Sequence, residues 1–350
     1  MQKLALDEEI LLQVEQPARY IGGEINSVKK DPDKVKLRFA MCFPDVYEIG
    51  MSHLGIQILY SMFNRREDVY CERVFSPWTD LDRILREKKI PLFTLESQRP
   101  VRECDFLGIT LQYEMCYTNI LQVLELSEIP LRAADRSDND PIVIGGGPCT
   151  YNPEPIAPFF DLFYMGEGEV IYDQLLDLYL AHKEAGGDRS SFLKKAAALP
   201  GIYVPSLYEP RYREDGTLSS FEPLCPEAPA SVRRLVMSVL DRADFIDTPL
   251  VPFIRVTQDR SVLELMRGCI RGCRFCQAGN VYRPQREHSV EYLKRYAEKL
   301  LKITGNEEIS LSSLSSSDYS RLQEFLEYLI QYTKERKINI SLPSLRIDAF

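Results

Sequence analysis

The chain is poor in several things. Its 350 residues include one tryptophan and only three histidines, His53, His182 and His288, with no pair at zinc-finger spacing. Basic excess is absent: 43 Lys and Arg against 52 Asp and Glu leave a net charge of −9. Nothing therefore drives the whole chain toward nucleic acid or anionic membranes. No apolar run reaches the roughly 18–20 residues that cross a bilayer. The start, "MQKLALDEEILLQVEQPARY", lacks the basic opening and apolar core of a signal peptide. We expect a cytoplasmic protein without membrane contact, whose thiols stay reduced. Nine cysteines is an odd number and most are scattered singly, which argues against a disulfide framework.

What is present has an α/β rhythm. "VKLRFAMCFP", "DVYCERVFSP", "PLFTL", "DFLGITL", "PIVIGGGP" and "DLFYMGEGE" read as strands. Between them, "HLGIQILYSMFNRR" with apolar Leu54, Ile58, Leu59 and Met62, "TDLDRILREKK" and "YTNILQVLELS" read as helices. Residues 1–30 read as a helix followed by a Gly-Gly turn. Strands alternating with helices imply right-handed crossovers and a doubly wound parallel sheet over 1–200. Its ligand loops then lie at the C-terminal strand ends, near Cys42 and Gly145, Gly146 and Gly147.

Residues 201–260 carry an Asp-Gly hairpin signal and a proline-containing connector, expected to be a linker with a small β element. A second rhythm fills 261–350: strand "VLELMRG", a cysteine loop, helix "SVEYLKRYAEKLLKITG", strand "EISLSSLS", helix "DYSRLQEFLEYLIQYTKERK" and strand "INISLPS". Gly305 stands where a helix C-cap favours glycine. About three βα units of roughly 30 residues fit there, too few to close a barrel. We therefore expect the C-terminal remainder of the barrel to be missing from this chain.

The loop "RGCIRGCRFCQAG" holds Cys269, Cys273 and Cys276 at Cys-x3-Cys-x2-Cys spacing, directly after a strand. Structural zinc takes four ligands, and so does an ordinary [4Fe–4S] cluster. No fourth cysteine follows, and His288 is twelve residues on. Three thiolates on one loop leave one metal position open. With Phe275 before the last cysteine, the loop resembles the radical SAM signature Cys-x3-Cys-x-aromatic-Cys. That resemblance implies a [4Fe–4S] cluster on Cys269, Cys273 and Cys276, with S-adenosylmethionine (SAM) chelating the open iron. It also implies reductive cleavage to a 5′-deoxyadenosyl radical at the mouth of a partial (βα) barrel.

Further contacts follow from the same resemblance. "SLSSLSSSDY" stands where the family carries a Gly-Gly-Glu motif, which makes Ser312 and Ser313 candidates for the methionine end of SAM, with Phe275 at the cluster. Ser344 and Arg346 in "LPSLRID" are candidates for its carboxylate or ribose. Of Arg267, Arg271, Arg274, Arg283 and Arg286, one or two are expected to serve substrate or reductant, and the rest solvation.

"IVIGGGPCTYNPEPIAPFFDLFYMGEGE" looks like the end of a cobalamin-binding-type domain, in which Gly145, Gly146 and Gly147 allow close backbone approach to a ligand. The cobalt-ligating pattern Asp-x-His-x-x-Gly fails around His53, which is preceded by Met51 and followed by Ile56. Cobalamin is thus a candidate but a disfavoured one, above all through histidine. Cys42, Cys71 and Cys104 invite comparison with the second cluster of methylthiotransferases; "AMCFPDVYEIG" does not match, and these read as core residues. Taken together, "PARYIGGEINSV", "FPDVYEIGMSHLGIQILY", "VIGGGPCTYNPEP", "RGCRFCQAG", "YRPQRE" and "LPSLRID" resemble one poorly characterised bacterial radical SAM family with an N-terminal cobalamin-binding-like domain. The resemblance implies a reductant such as flavodoxin or ferredoxin and leaves open a small molecule, RNA or protein as substrate. Two other readings stand: a cobalamin-dependent radical SAM methylase, and a zinc-stabilised binding module.

Overall fold

The computed structural model describes residues 4–242, 246 and 248–349. It divides into two compact units, Met1–Val236 and Met237–Phe350. In the first unit two largely apolar runs, interrupted by Arg38 in one and by Glu72 and Arg73 in the other, become fully buried strands, β1 (Leu37–Phe43) and β2 (Val69–Phe75). Burial on both faces is the condition of a parallel sheet flanked by helices. With β3 (Phe106–Thr110), β4 (Ile142–Gly146), β5 (Leu162–Tyr164) and β6 (Ile202–Tyr203), they form one sheet in the order β2-β1-β3-β4-β5-β6. All neighbours pair in parallel except β5 with β6.

The helices of this unit are α1 (Glu8–Leu11), α2 (Tyr47–Gly50), α3 (Leu54–Asn64), α4 (Thr79–Lys88), α5 (Tyr117–Leu126), α6 (Tyr172–Glu184) and α7 (Arg189–Ala197). The chain goes from β1 outward to β2, then returns across β1 to β3. The crevice beyond the C-terminal ends of β1 and β3 is therefore the topological switch point.

Two expectations need correction here. "PLFTL" is no strand of the sheet: Leu92, Phe93 and Leu95 are buried, but the Leu95 N–H donates to the Arg73 carbonyl at 2.9 Å, covering the edge of β2. In the described N-terminal segment the α-helix covers only the four residues of α1, with a single 3-10 turn at Pro17–Arg19; its Gly-Gly turn is real, with φ of 58° at Gly22 and 75° at Gly23. The segment 201–260 is shared between the units. β6 joins the sheet, and the hairpin β7 (Tyr208–Tyr212) and β8 (Leu218–Pro223) packs back through Tyr208, whose ring lies 5.1 Å from Tyr203.

The second unit has a three-stranded parallel sheet, order β13-β12-β9, from β9 (Ser261–Glu264), β12 (Glu308–Ser312) and β13 (Asn339–Ser341). Helix α9 (Val290–Thr304) links the first pair and α10 (Leu322–Lys334) the second. Ser289 caps α9 by accepting the Tyr292 N–H, and Gly305 ends it with φ 68°. The apolar faces of both helices close over Leu263, Ile309 and Leu311. Between β9 and α9 lie a short ribbon, β10 (Met266–Arg267) with β11 (Arg286–Glu287), and a one-turn helix α8 (Ala278–Val281).

Candidate metal centre

The cysteine loop leaves the sheet at the C-terminal end of β9 and is pinched at its base by the β10–β11 pairs Met266–Glu287 and Arg267–Arg286. Gly268 starts the loop with φ 85°; an added Cβ would lie 2.5 Å from the carbonyl oxygens of Tyr282 and Pro284. Only glycine lets these backbones meet. Beneath the pinch, Glu264 accepts Arg267 Nε at 2.9 Å and faces His288 Nε2 at 3.9 Å. His288 pairs its Nδ1 with Asp241 at 3.1 Å and stacks on Tyr292, centroids 4.1 Å apart. Burial would raise the Glu264 carboxyl, but His288 and Arg267 hold it below its ordinary value.

Within the loop, Cys273 is exposed, and Cys269 and Cys276 are half-buried. The Arg271 N–H donates to Cys269 Sγ at 3.4 Å, and the Gly279 N–H to Cys276 Sγ at 3.4 Å. Among the described residues no three His, Cys, Asp or Glu side chains are already gathered to hold a metal ion. The donor set nevertheless fits an iron–sulfur cluster with one open iron: three thiols on one loop, two of them receiving backbone N–H groups as ligating thiolates do.

The SAM candidates fall into two groups. Ser312 ends β12 opposite Glu264, and its carbonyl accepts the Leu265 N–H at 2.8 Å. Ser313 Oγ meets Ser316 Oγ at 2.8 Å, and Ser316 reaches the carbonyls of Pro343 and Ser344, so the loops after β12 and β13 adjoin. Ser344 holds φ 60°, and Arg346 pairs with Asp348. Phe275 stands apart, 93% exposed. Of the arginines, Arg267 and Arg271 are ion-paired, Arg283 and Arg286 donate to backbone carbonyls, and Arg274 is exposed.

Sequence reading missed Asp318. Arg271 Nε donates to it at 2.8 Å and Nη2 bonds its other oxygen, while Ser315 Oγ adds a third bond at 2.8 Å. The Arg271 bond holds the Asp318 carboxyl down at about 2. The one signal was an acidic residue in the serine-rich stretch after the second strand. The Asp241–His288–Glu264 series was missed as well, since its members are far apart in sequence.

In the first unit Gly145, Gly146 and Gly147 do end β4. Thr110 and Gly146 are ladder partners at the C-terminal edge. Thr110 is 8% exposed with a buried hydroxyl lacking a partner, and a Cβ on Gly146 would meet only the Tyr172 hydroxyl, at 3.6 Å. His53 caps α3, its Nδ1 accepting the Ile56 N–H at 3.3 Å. Cys42 and Cys104 belong to one face of the sheet, with Val74. Cys71, odd-numbered against Val74 on the same strand, points to the other face, so the three cannot share one metal. Burial pushes all three thiols up, as expected of core residues.

Residues 263–349 match the radical SAM superfamily, and residues 55–205 match the N-terminal domain of radical SAM proteins. An uncharacterised protein of Methanocaldococcus jannaschii is 25% identical over 319 residues, covering 88% of this chain and 55% of that protein. Two solved structures share the fold at 12% identity. One is the radical SAM methyltransferase TsrM from Kitasatospora setae with cobalamin and a [4Fe–4S] cluster, TM-score 0.52, covering 87% of this chain and 56% of TsrM. The other is TsrM with tryptophan substrate and a SAM analogue, TM-score 0.50, covering 87% and 54%. This chain thus spans about half the length of the relatives it matches. The low standing given to cobalamin on the failed His53 motif is not supported, because the fold recurs in a protein with cobalamin bound. Among the described residues no helix is long and apolar enough to cross a membrane.

Proposed function

Since this chain is a radical SAM protein with an N-terminal domain, we propose that it is the cluster-bearing part of an enzyme that cleaves SAM reductively. The observation that carries this reading is the three-thiol loop at the C-terminal end of β9, with N–H groups directed at Cys269 and Cys276. When bound, a [4Fe–4S] cluster with SAM at its open iron supplies one electron to break the sulfonium and release a 5′-deoxyadenosyl radical. Cys269, Cys273 and Cys276 would hold three of its irons. Phe275 would flank the cluster from the loop, and Ser312, Ser313, Ser344 and Arg346 would hold the polar groups of SAM. A low-potential donor such as flavodoxin or ferredoxin provides the electron, which carries with it a reducing, cytoplasmic location.

A second reading adds cobalamin, making the enzyme a cobalamin-dependent methylase. Its supports are the shared fold with TsrM, the room at Gly146 and the unpaired Thr110 hydroxyl at the switch-point edge.

Anaerobic reconstitution with iron and sulfide tests the first reading. About four irons per chain and broad absorbance near ~400 nm, both lost in Cys→Ala variants, support it. Tight zinc without an iron–sulfur spectrum replaces it with the zinc-stabilised module. Titration with hydroxocobalamin tests the second: retention on the protein supports it, and free passage removes it.

A further inference from the structure

The loops after β9, β12 and β13 are tied together by side chains. Asp318 is the junction. Its carboxylate takes both Nε and Nη2 of Arg271 and the hydroxyl of Ser315, and its carbonyl accepts Gln285 Nε2 at 3.4 Å. The Asp318 side chain is 7% exposed against 41% for Arg271, so the arginine reaches inward to a fixed carboxylate. Arg271 is also held from outside, its carbonyl accepting Arg283 Nη2 at 2.8 Å. With side chain and carbonyl both anchored, its N–H is aimed at Cys269 Sγ at 3.4 Å. From the neighbouring Ser316, bonds run on to Pro343 and Ser344.

We propose that Asp318 is a positioning residue of the cysteine loop: through Arg271 it fixes the N–H directed at Cys269 and neutralises the adjacent guanidinium, and so sets the reduction potential of the cluster. The inference rests on the cluster reading above. Hydrogen bonds to ligand sulfur and nearby positive charge favour the more negative, reduced cluster. Removing the charge of Asp318 leaves Arg271 without its bonded counter-charge; because the N–H bond to Cys269 is long, at 3.4 Å, the freed charge outweighs its loosening and moves the potential upward. Removing the charge of Arg271 leaves Asp318 uncompensated and moves it downward.

The test uses the full chain reconstituted anaerobically with iron and sulfide, and reads the midpoint potential by spectroscopic titration. D318N is expected to shift the potential up and R271Q to shift it down. The double variant returns toward the parent, and R271K stays closer to the parent than R271Q. Two single variants unchanged, or shifted in the same direction, overturn the proposal. An iron-free measurement accompanies it: alkylation of Cys269 by iodoacetamide, followed by peptide mass spectrometry. D318N is expected to react several-fold faster than the parent, and equal rates overturn the claim that Asp318 fixes the loop. Should D318N retain no cluster, this rate decides. A parent chain that takes up no cluster removes the cluster reading itself, while the alkylation rates still judge Asp318.

Discussion

Arg73 and Glu96 form a buried ion pair, Nε to Oε1 2.6 Å, in which neither side chain is more than 1% exposed. Glu96 also accepts the Arg73 N–H, an edge-strand donor that would otherwise be buried without a partner. Glu24 takes the other side of the guanidinium at 2.6 Å and is itself bonded by the Tyr47 hydroxyl. One arginine thus compensates two carboxylates. Replacing Arg73 with methionine strands both, and the expected loss is about 3–5 kcal/mol in urea unfolding. A loss below about 1 kcal/mol would show that the network is not what ties residues 20–28 and 92–98 to the sheet edge.

The same triad has a pH signature. Burial raises the Glu96 carboxyl to about 7, with Arg73 opposing and Glu24 adding to the rise. Its folded value lies above the unfolded one, so its contribution is fully present below the unfolded value of 4.5 and is lost as pH rises through about 7. E96Q is expected to flatten the decline in stability between about pH 5 and about pH 8. Urea midpoints across that range decide it: parallel curves for parent and E96Q would remove Glu96 as the titrating group.

His53 behaves oppositely. Burial lowers it from 6.5 to about 4, and its Nδ1 caps α3 only as the neutral ring. As pH falls below 6.5 the unfolded chain binds a proton that the folded chain refuses, so stability is lost down to about 4. H53N retains a capping oxygen and is expected to lose this acid sensitivity. H53A loses the cap as well, at about 1–2 kcal/mol. If H53N keeps the full acid-side slope, the sensitivity belongs to other groups.

What could be read from the sequence divides along a physical line. Buried parallel strands such as "LRFAMCF" show as largely apolar runs, and helix α3 shows through the spacing of Leu54, Ile58, Leu59 and Met62, although the apolar face it buries is Ile56, Tyr60, Met62 and Phe63. Gly305 and the three cysteines were legible because a cap and a ligand loop are local. "PLFTL" deceived because Leu92, Phe93 and Leu95 are buried as a cover over an edge and not as a ladder. Arg271 and Asp318 are 47 positions apart, and Arg73 and Glu24 are 49. Only the fold brings such pairs together, since no local pattern marks which charge another will meet.

The three glycines at the C-terminal end of β4, Gly145 and Gly146 within the strand and Gly147 just beyond it, have separable roles. A Cβ on Gly145 would lie 2.6 Å from the Phe163 ring and 2.9 Å from Leu111, so G145A overpacks the core at about 1–3 kcal/mol. Gly147 sits at φ 113° with the Leu111 carbonyl 2.8 Å from an added Cβ, and G147A is strained. G146A has space and should melt like the parent. If a cobalamin-type ligand approaches this edge, G146A reduces retained hydroxocobalamin with melting unchanged. Equal retention by G146A and parent would place any such ligand elsewhere.

Gly268 and Gly272 offer a matched comparison within the cysteine loop. At Gly268, φ 85° and two carbonyl oxygens 2.5 Å from an added Cβ leave alanine no unstrained position. The left-handed conformation alone costs alanine roughly 1–2 kcal/mol, and the backbone contacts with Tyr282 and Pro284 must also open. At Gly272 nothing lies within 4 Å. The strain at Gly268 falls on the β10–β11 pinch, whereas the apolar core beneath α9 and α10 is built from Leu263, Ile309, Leu311 and Phe325. G268A is therefore expected to retain less than half the iron of the parent after reconstitution, with its far-ultraviolet circular dichroism unchanged. G272A should match the parent in both. Equal iron in G268A would mean that the pinch does not hold the cysteines for the cluster.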